Sequence, residues 1–355
     1  MQISSLGEFA LIQHLTKDFP LRNPSSHCGV GDDCAIIDNP PADGQTLVTT
    51  DLLLEGIHFD LTYCPLRHLG YKACVAGFSD VYAMMGTPRQ VTISVGVSKR
   101  FSVEDLDELY AGIRLACDIY GVDLVGGDTS ASMTGLTISV TCVGVAQHPA
   151  LRSGAQPNDL VCVSGDLGAA YMGLQLLERE KAIYLQQYDD WRRQNPGTDS
   201  QPPVFEPKFD GREYLLERQL KPEARRDIVK ALLDAGITPT AMIDITDGLA
   251  SEMLHICEQS HVGCRIYEER LPIDYQTAVQ AEEFSLNVTT VAMNGGDDYE
   301  LAFTVPLTQH ELIQQMPGIR IVGHITDKRL GAALITRDGN SEIQLRAQGW
   351  SSTES

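Results

Sequence analysis

Two rhythms of apolar positions run through the first half of the chain. Val91, Ile93, Val95 and Val97 alternate with small or polar residues, the period-two mark of a half-buried strand, and Leu136 to Ala146 repeats it. Leu66 to Met85 is nearly apolar throughout and predicts a long helix stopped by Gly86 and Pro88. Phe9, Ile12 and Leu15 recur at helical spacing and predict a first short helix over Gly7 to Leu15. Ser102 is placed to cap a helix running to Tyr120, with Gly121 as its stop. Ala35 to Ile37 and Thr46 to Thr50 read as two short strands split by Pro40, Pro41 and the Asp43-Gly44 turn. Paired as a hairpin, they would bring Asp33 and Asp51 to the same end. Val122 to Val125 predicts a short strand ending in Gly126-Gly127-Asp128-Thr129.

Leu151 to Asp159, with Pro157, reads as the connection between two domains, 1–150 and 151–355. A strand from Leu160 to Val163, a glycine loop and a helix from Ala169 follow. Periodicity dissolves from about Lys181 to Gly211, a stretch rich in Gln, Asp and Pro that reads as an inserted surface segment. A helix from Pro222 to Ala235 comes next. Then come a buried strand, Ala241 to Ile245, that runs into a helix, and strands at Leu301 to Val305, near Ile321 and near Leu334. Strands and helices in mixed order predict an α+β (mixed α/β) fold.

Composition narrows the function. A formal charge of −21 argues against a nucleic-acid partner, which needs a basic footprint. An acidic protein holds a polyphosphate only if cations sit between the two sets of negative charge, so Mg²⁺ is an expectation of the charge balance. No run approaches the roughly 20 apolar residues of a membrane span. The N-terminal stretch lacks a basic region followed by an apolar one, so a cytoplasmic location is expected. The nine cysteines form no CxxC pair and read as reduced, mostly core residues.

The chemistry-bearing residues are carboxylates beside glycines. Asp32 and Asp33 follow Gly31, Asp51 follows Thr49 and Thr50, Asp128 follows Gly126-Gly127, and Asp297 follows Gly295-Gly296. Such carboxylates gathered together need a cation, and hard oxygen ligands suit Mg²⁺. Asp80, among Phe78, Val81, Tyr82 and Met84, needs a metal or a hydrogen bond to offset its desolvation. Asp244 lies one step inside an apolar strand, and Asp247 is placed either to cap the next helix or to serve the site. Ser164-Gly165-Asp166-Leu167-Gly168 is either an anion-binding loop or a simple tight turn, and no P-loop occurs. Trp350 anchors the terminus or touches a ligand.

Taken in order, GDD, TTDLLLEGIHF, FSDVYAMMG, GGDTS, DITDGL and GGDDYEL, with GEFALI near the N-terminus, resemble the thiamine-monophosphate kinase family over everything except the inserted segment. Its superfamily also holds aminoimidazole ribonucleotide synthetase, selenophosphate synthetase and a hydrogenase maturation factor. The resemblance implies the two-domain synthetase-like architecture. Residues 1–150 would be the N-terminal ATP- and Mg²⁺-binding and dimerisation domain, and 151–355 the C-terminal domain with the insertion at about 181–211.

It further implies a cluster of Mg²⁺ ions on Asp33, Thr49, Thr50, Asp51, Asp80, Asp128, Asp244 and Asp247. Of these, Asp51, Asp80, Asp128 and Asp244 would act in catalysis through the metal. ATP would be held by Tyr110, Gly127, Asp128, Arg152 and Thr246, and thiamine phosphate by His58, Asp297 and Trp350. A homodimer is implied, catalysing ATP-dependent, in-line γ-phosphoryl transfer to thiamine monophosphate, the last step to thiamine diphosphate. The acceptor phosphate, with a second pKa of about 6, needs no general base.

Three departures stand out: Asp297 where the family more often has Glu, Thr246 where Ser is usual, and the insertion. A ring-closing synthetase would share the fold and ATP site. Selenophosphate synthetase would show a reactive Cys or selenocysteine with a nearby Lys ahead of GDD, and the hydrogenase factor a C-terminal Cys; here Cys28 has no lysine beside it and the chain ends Glu354-Ser355. A non-catalytic nucleotide or Mg²⁺ sensor would keep most of the ligands.

Overall fold

The computed structural model describes residues 14–28, 36–37, 44–196, 204–339 and 341–347, with backbone alone at 27–28 and 36–37. Its strands in chain order are β1 (Ser26–Cys28), β2 (Ile36–Ile37), β3 (Gln45–Leu54), β4 (Thr87–Val97), β5 (Asp123–Ala131), β6 (Thr137–Ala146) and β7 (Leu160–Ser164). β8 (Ala241–Ile245), β9 (Val262–Tyr267), β10 (Glu300–Val305), β11 (Ile319–Asp327), β12 (Ala332–Ile335) and β13 (Glu342–Gln344) complete them. One sheet has the order β3-β6-β4-β5, a second β13-β12-β9-β11-β7-β10-β8, and β1 pairs with β2. Both larger sheets are mixed: β4 and β5 run parallel, as do β9 and β12, and their other pairings are antiparallel. Helices pack on both sheets, giving the α+β class.

One helix, Leu66–Ala83, lies between the sheets and touches β3 and β6 on one side and β8 on the other. That position explains its composition: with Leu69, Tyr71, Val75, Phe78 and Val81 all buried, no face is left for solvent. Each such large side chain contributes roughly 1.5–3 kcal/mol. The helix Val103–Tyr120 crosses it closely at two glycines. A Cβ at Gly70 would lie 2.1 Å from the Leu109 carbonyl oxygen, and one at Gly112 would lie 1.9 Å from that of Arg67. Ser102 and Asp105 cap the second helix reciprocally, and Gly121 ends it at φ 71°.

Several expectations need correction. The hairpin does not form: β2 pairs with β1, and β3 pairs along its length with β6, so the register of Asp51 is set by a strand 89 residues further on (51 to 140). β5 does not stop at Val125 but runs through Gly126-Gly127-Asp128, its backbone carried on by parallel pairing with β4. The segment from Lys181 is not irregular at its start, because the helix from Ala169 continues to Gln194. Tyr184, Tyr188 and Trp191 fall on one stripe of that extension, each neighbouring pair with ring centroids 6.2 Å apart. The helix expected from Pro222 begins at Arg226, and a separate one, Glu213–Leu220, precedes it. The first short helix, expected over Gly7 to Leu15, lies outside the described residues except for His14 and Leu15, which are helical.

Candidate active site

Strand alternation divides the Thr49-Thr50-Asp51 triplet. Thr49 and Asp51 face the helix Leu66–Ala83, and the Thr49 hydroxyl donates to Asp80 Oδ2. Thr50 lies on the opposite, open face, with its Oγ1 3.1 Å from Thr141 Oγ1. Asp80 occupies the last turn of its helix, and the preceding residue reaches the other sheet: Ser79 Oγ donates to Asp244 Oδ2 at 2.7 Å. Asp51, Asp80 and Asp244 thus line the seam between the sheets and interact electrostatically. Burial, then the charge of Asp80, holds Asp51 up at about 6 and Asp244 at about 7. Asp80 is itself raised by burial, against the opposing pull of Thr49 and Arg152.

Two cavities meet here. The first, of about 520 Å³, is lined by Leu47, Thr49, Asp80, Met84, Arg152 and Asp244. The second, of about 640 Å³, is lined by Asp51, His58, Lys72, Thr246, Asp247 and Asp297 among others, and Asp80 belongs to its wall as well. His58 sits just after β3, and its Nδ1 accepts the Leu54 N–H at 3.0 Å, which leaves Nε2 as the protonated nitrogen. Asp297 adopts φ 59°, with its N–H donating to the Thr246 carbonyl at 2.8 Å. Asp247 is not the helix cap. Gly248 takes that position, and Glu252 Oε1 accepts the Asp247 N–H at 3.0 Å. Glu252, buried and held up at about 7 mainly by that burial, and Lys72 were not singled out from the sequence. The available signal for Lys72 was a lysine inside a nearly apolar helix.

Other expected members are not brought together within one chain. Gly127 and Asp128 lie exposed on β5, at the opposite edge of the four-stranded sheet from Asp51. Three strand spacings make that roughly 14 Å. Gly127 has a structural reason of its own, since a Cβ there would meet the Ile93 carbonyl oxygen at 2.0 Å. Tyr110 is buried edge-on to Phe19, with ring centroids 6.4 Å apart, and lines a separate cavity with His14 and Arg114. Asp33 and Trp350 lie outside the described residues.

Among the described residues no three His, Cys, Asp or Glu side chains form a group that would hold a metal ion unaided. The donors at the seam nevertheless suit Mg²⁺: all are hard oxygens, and Asp51 Oδ2 is buried without a hydrogen-bond partner among the described residues. A buried carboxylate oxygen left so is costly unless a cation meets it.

Residues 31–146 match the family model of the AIR synthase related protein, N-terminal domain. The chain is 33% identical over 306 residues to the thiamine-monophosphate kinase of Aquifex aeolicus (strain VF5), covering 86% of this chain and 88% of that one. It is 30% identical over 346 residues to that of Bacillus subtilis (strain 168), covering 95% and 97%. Among solved structures it resembles AaThiL complexed with AMPPCP and TMP, with a TM-score of 0.70 and 31% identity, over 99% of this chain and 98% of that one. The thiamine-monophosphate kinase from Stenotrophomonas maltophilia K279a gives a TM-score of 0.73 at 27% identity, over 95% and 98%.

Proposed function

The chain belongs to the thiamine-monophosphate kinase family, and from that premise we propose that it transfers the γ-phosphoryl group of ATP to thiamine monophosphate, yielding thiamine diphosphate and ADP. The observation that carries this reading is the meeting of two cavities at one carboxylate, Asp80. The first cavity, with Arg152 beside apolar Leu47 and Met84, suits a nucleotide whose phosphates point to the seam. The second, with His58, Thr246 and Asp297, suits the acceptor. An oxygen of the acceptor phosphate forms the new bond to the γ-phosphorus, the bond to the β–γ bridging oxygen breaks, and ADP departs with that electron pair. No protein nucleophile enters, and the acceptor, largely a dianion at neutral pH, needs no base.

Asp51, Asp80 and Asp244, with Asp33, would hold Mg²⁺, and Thr49 and Asp247 stand beside them. Bound there, Mg²⁺ would screen the repulsion between the two phosphate groups. The chain's own residues fix the alignment: Thr49 orients Asp80, Ser79 orients Asp244, and Glu252 holds the Asp247 backbone.

The positions of Asp128, Gly127 and Tyr110 support a homodimer. The open face of the four-stranded sheet carries Val48 and Leu52, 66% and 54% exposed, beside Thr50 and Thr141. A second copy laid against that face would bring its own β5 to the first copy's β3, so residues 1–150 serve the nucleotide, the metal and dimerisation, and 151–355 form the C-terminal domain. A cytoplasmic location is supported by the seven cysteines among the described residues that are free and buried. No helix among the described residues is long and apolar enough to cross a membrane.

The test is product analysis. With ATP, Mg²⁺ and thiamine monophosphate, thiamine diphosphate and ADP should accumulate in equal amounts, and an aminoimidazole ribonucleotide precursor should release no ADP. ADP release with the precursor alone would overturn the assignment.

A further inference from the structure

We propose that Lys72 is a positioning residue for the acceptor: its ammonium holds one carboxylate oxygen of Asp297 and so presents the other to the second cavity. The inference rests on that cavity being the acceptor's chamber. Lys72 is 8% exposed, in the helix between the sheets. Its Nζ donates to Asp297 Oδ2 at 2.9 Å and to the Gln219 carbonyl at 3.2 Å. With the Gln219 amide turned so that its NH₂ meets the Ala170 carbonyl at 3.0 Å, its side-chain oxygen takes a third bond from Lys72 at 3.2 Å. An ammonium has three protons to give. All are spent within the protein, so Lys72 has none for the acceptor's phosphate and acts through Asp297 instead.

Asp297 is fixed from two sides. Its backbone is held left-handed and bonded to Thr246, and its Oδ2 belongs to Lys72. Among the described residues Oδ1 receives only a long approach, 3.5 Å, from the Tyr299 hydroxyl, and the side chain lines the cavity at 37% exposure. One oxygen so aimed suits an N–H donor on the acceptor's ring system. The pairing has a second effect. Paired with Lys72, Asp297 adds no net negative charge to a chamber that must admit a phosphate dianion; unpaired, it would repel that group.

A double-mutant cycle with Lys72→Met and Asp297→Asn tests this, read by calorimetric binding of thiamine monophosphate and by steady-state kinetics on the full chain. Lys72→Met should weaken acceptor binding and raise its KM about ten- to a hundredfold, the scale of a lost charge-assisted hydrogen bond. The KM for ATP should stay within about threefold. In the Asp297→Asn background the same change should add less than about twofold, because its route is already cut. Lys72→Arg, which keeps the charge while moving the donor, should restore part of the loss and covers the case in which the methionine variant does not fold. Independent, multiplying losses in the double variant, or equal losses in both KM values, would overturn the proposal. A parent enzyme that binds no thiamine monophosphate would sink the functional reading itself, whereas a parent that binds but shows multiplying losses sinks only the role of Lys72.

Discussion

Ser79 and Asp244, 165 residues apart in the chain, meet in a buried 2.7 Å hydrogen bond that ties the central helix to the edge strand of the second sheet. Because the hydroxyl donates, the bond favours the ionised carboxylate, while burial pushes the other way and keeps Asp244 at about 7. Ser79→Ala should therefore cost about 1–3 kcal/mol where Asp244 is ionised and less where it is protonated. Thermal melts in chelator at pH 6 and pH 8 check this. A loss that does not grow with pH would refute it.

Asp51→Asn is expected to lower turnover by several orders of magnitude while leaving the fold intact. Asp51 titrates at about 6, above its unfolded value near 3.8, so the folded state binds the proton more tightly. Its contribution to stability is full below the unfolded value and is lost as pH rises through about 6. At pH 7.5 in chelator the amide should accordingly melt higher than the parent. A variant of normal activity across a Mg²⁺ titration would remove Asp51 from the site.

Mg²⁺ affinity should rise steeply between pH 5 and pH 8. Below about 6 to 7, Asp51 and Asp244 hold protons, and Asp80 is raised in the same direction. A cation must displace those protons, so binding releases them. Titration calorimetry in buffers of different ionisation enthalpy reads the release directly, and pH-independent binding without it would count against these ligands.

Asp51→Asn and Asp128→Asn should each be inactive alone, yet regain activity when mixed under conditions that exchange subunits. If Asp128 serves the neighbouring copy's site, a mixed dimer carries one site with both aspartates intact. An equal mixture should recover about a quarter of the parent activity. No recovery despite proven exchange would mean that both aspartates act within one chain.

Local patterns were legible in the sequence. The cap at Ser102, the stop at Gly121 and the alternation of β4 and β6 are decided by neighbours a few residues away. What was not legible depends on distant partners. Nothing near Ile36 says that it pairs with residues 26–28 rather than with β3, and nothing near Asp128 says that its strand ends up across the sheet from Asp51. The outer turns of the helix Ala169–Gln194 were hidden by polar composition, although Tyr184, Tyr188 and Trp191 carried the helical spacing. For the candidate site, Asp51, Asp80 and Asp244 were singled out from the sequence and lie together at the seam, whereas Lys72 and Glu252 stand out only through the contacts they make with Asp297 and Asp247.

If the nucleotide takes the first chamber and the acceptor the second, they share the wall formed by Asp80 and cannot be thermodynamically indifferent to one another. Whatever one guest does to the charge or orientation of that shared carboxylate alters the welcome given to the other, and by reciprocity the influence is equal in both directions. Order of addition is thus a matter of kinetics alone, and a molecule spanning both chambers would collect the whole of that mutual preference in a single binding event.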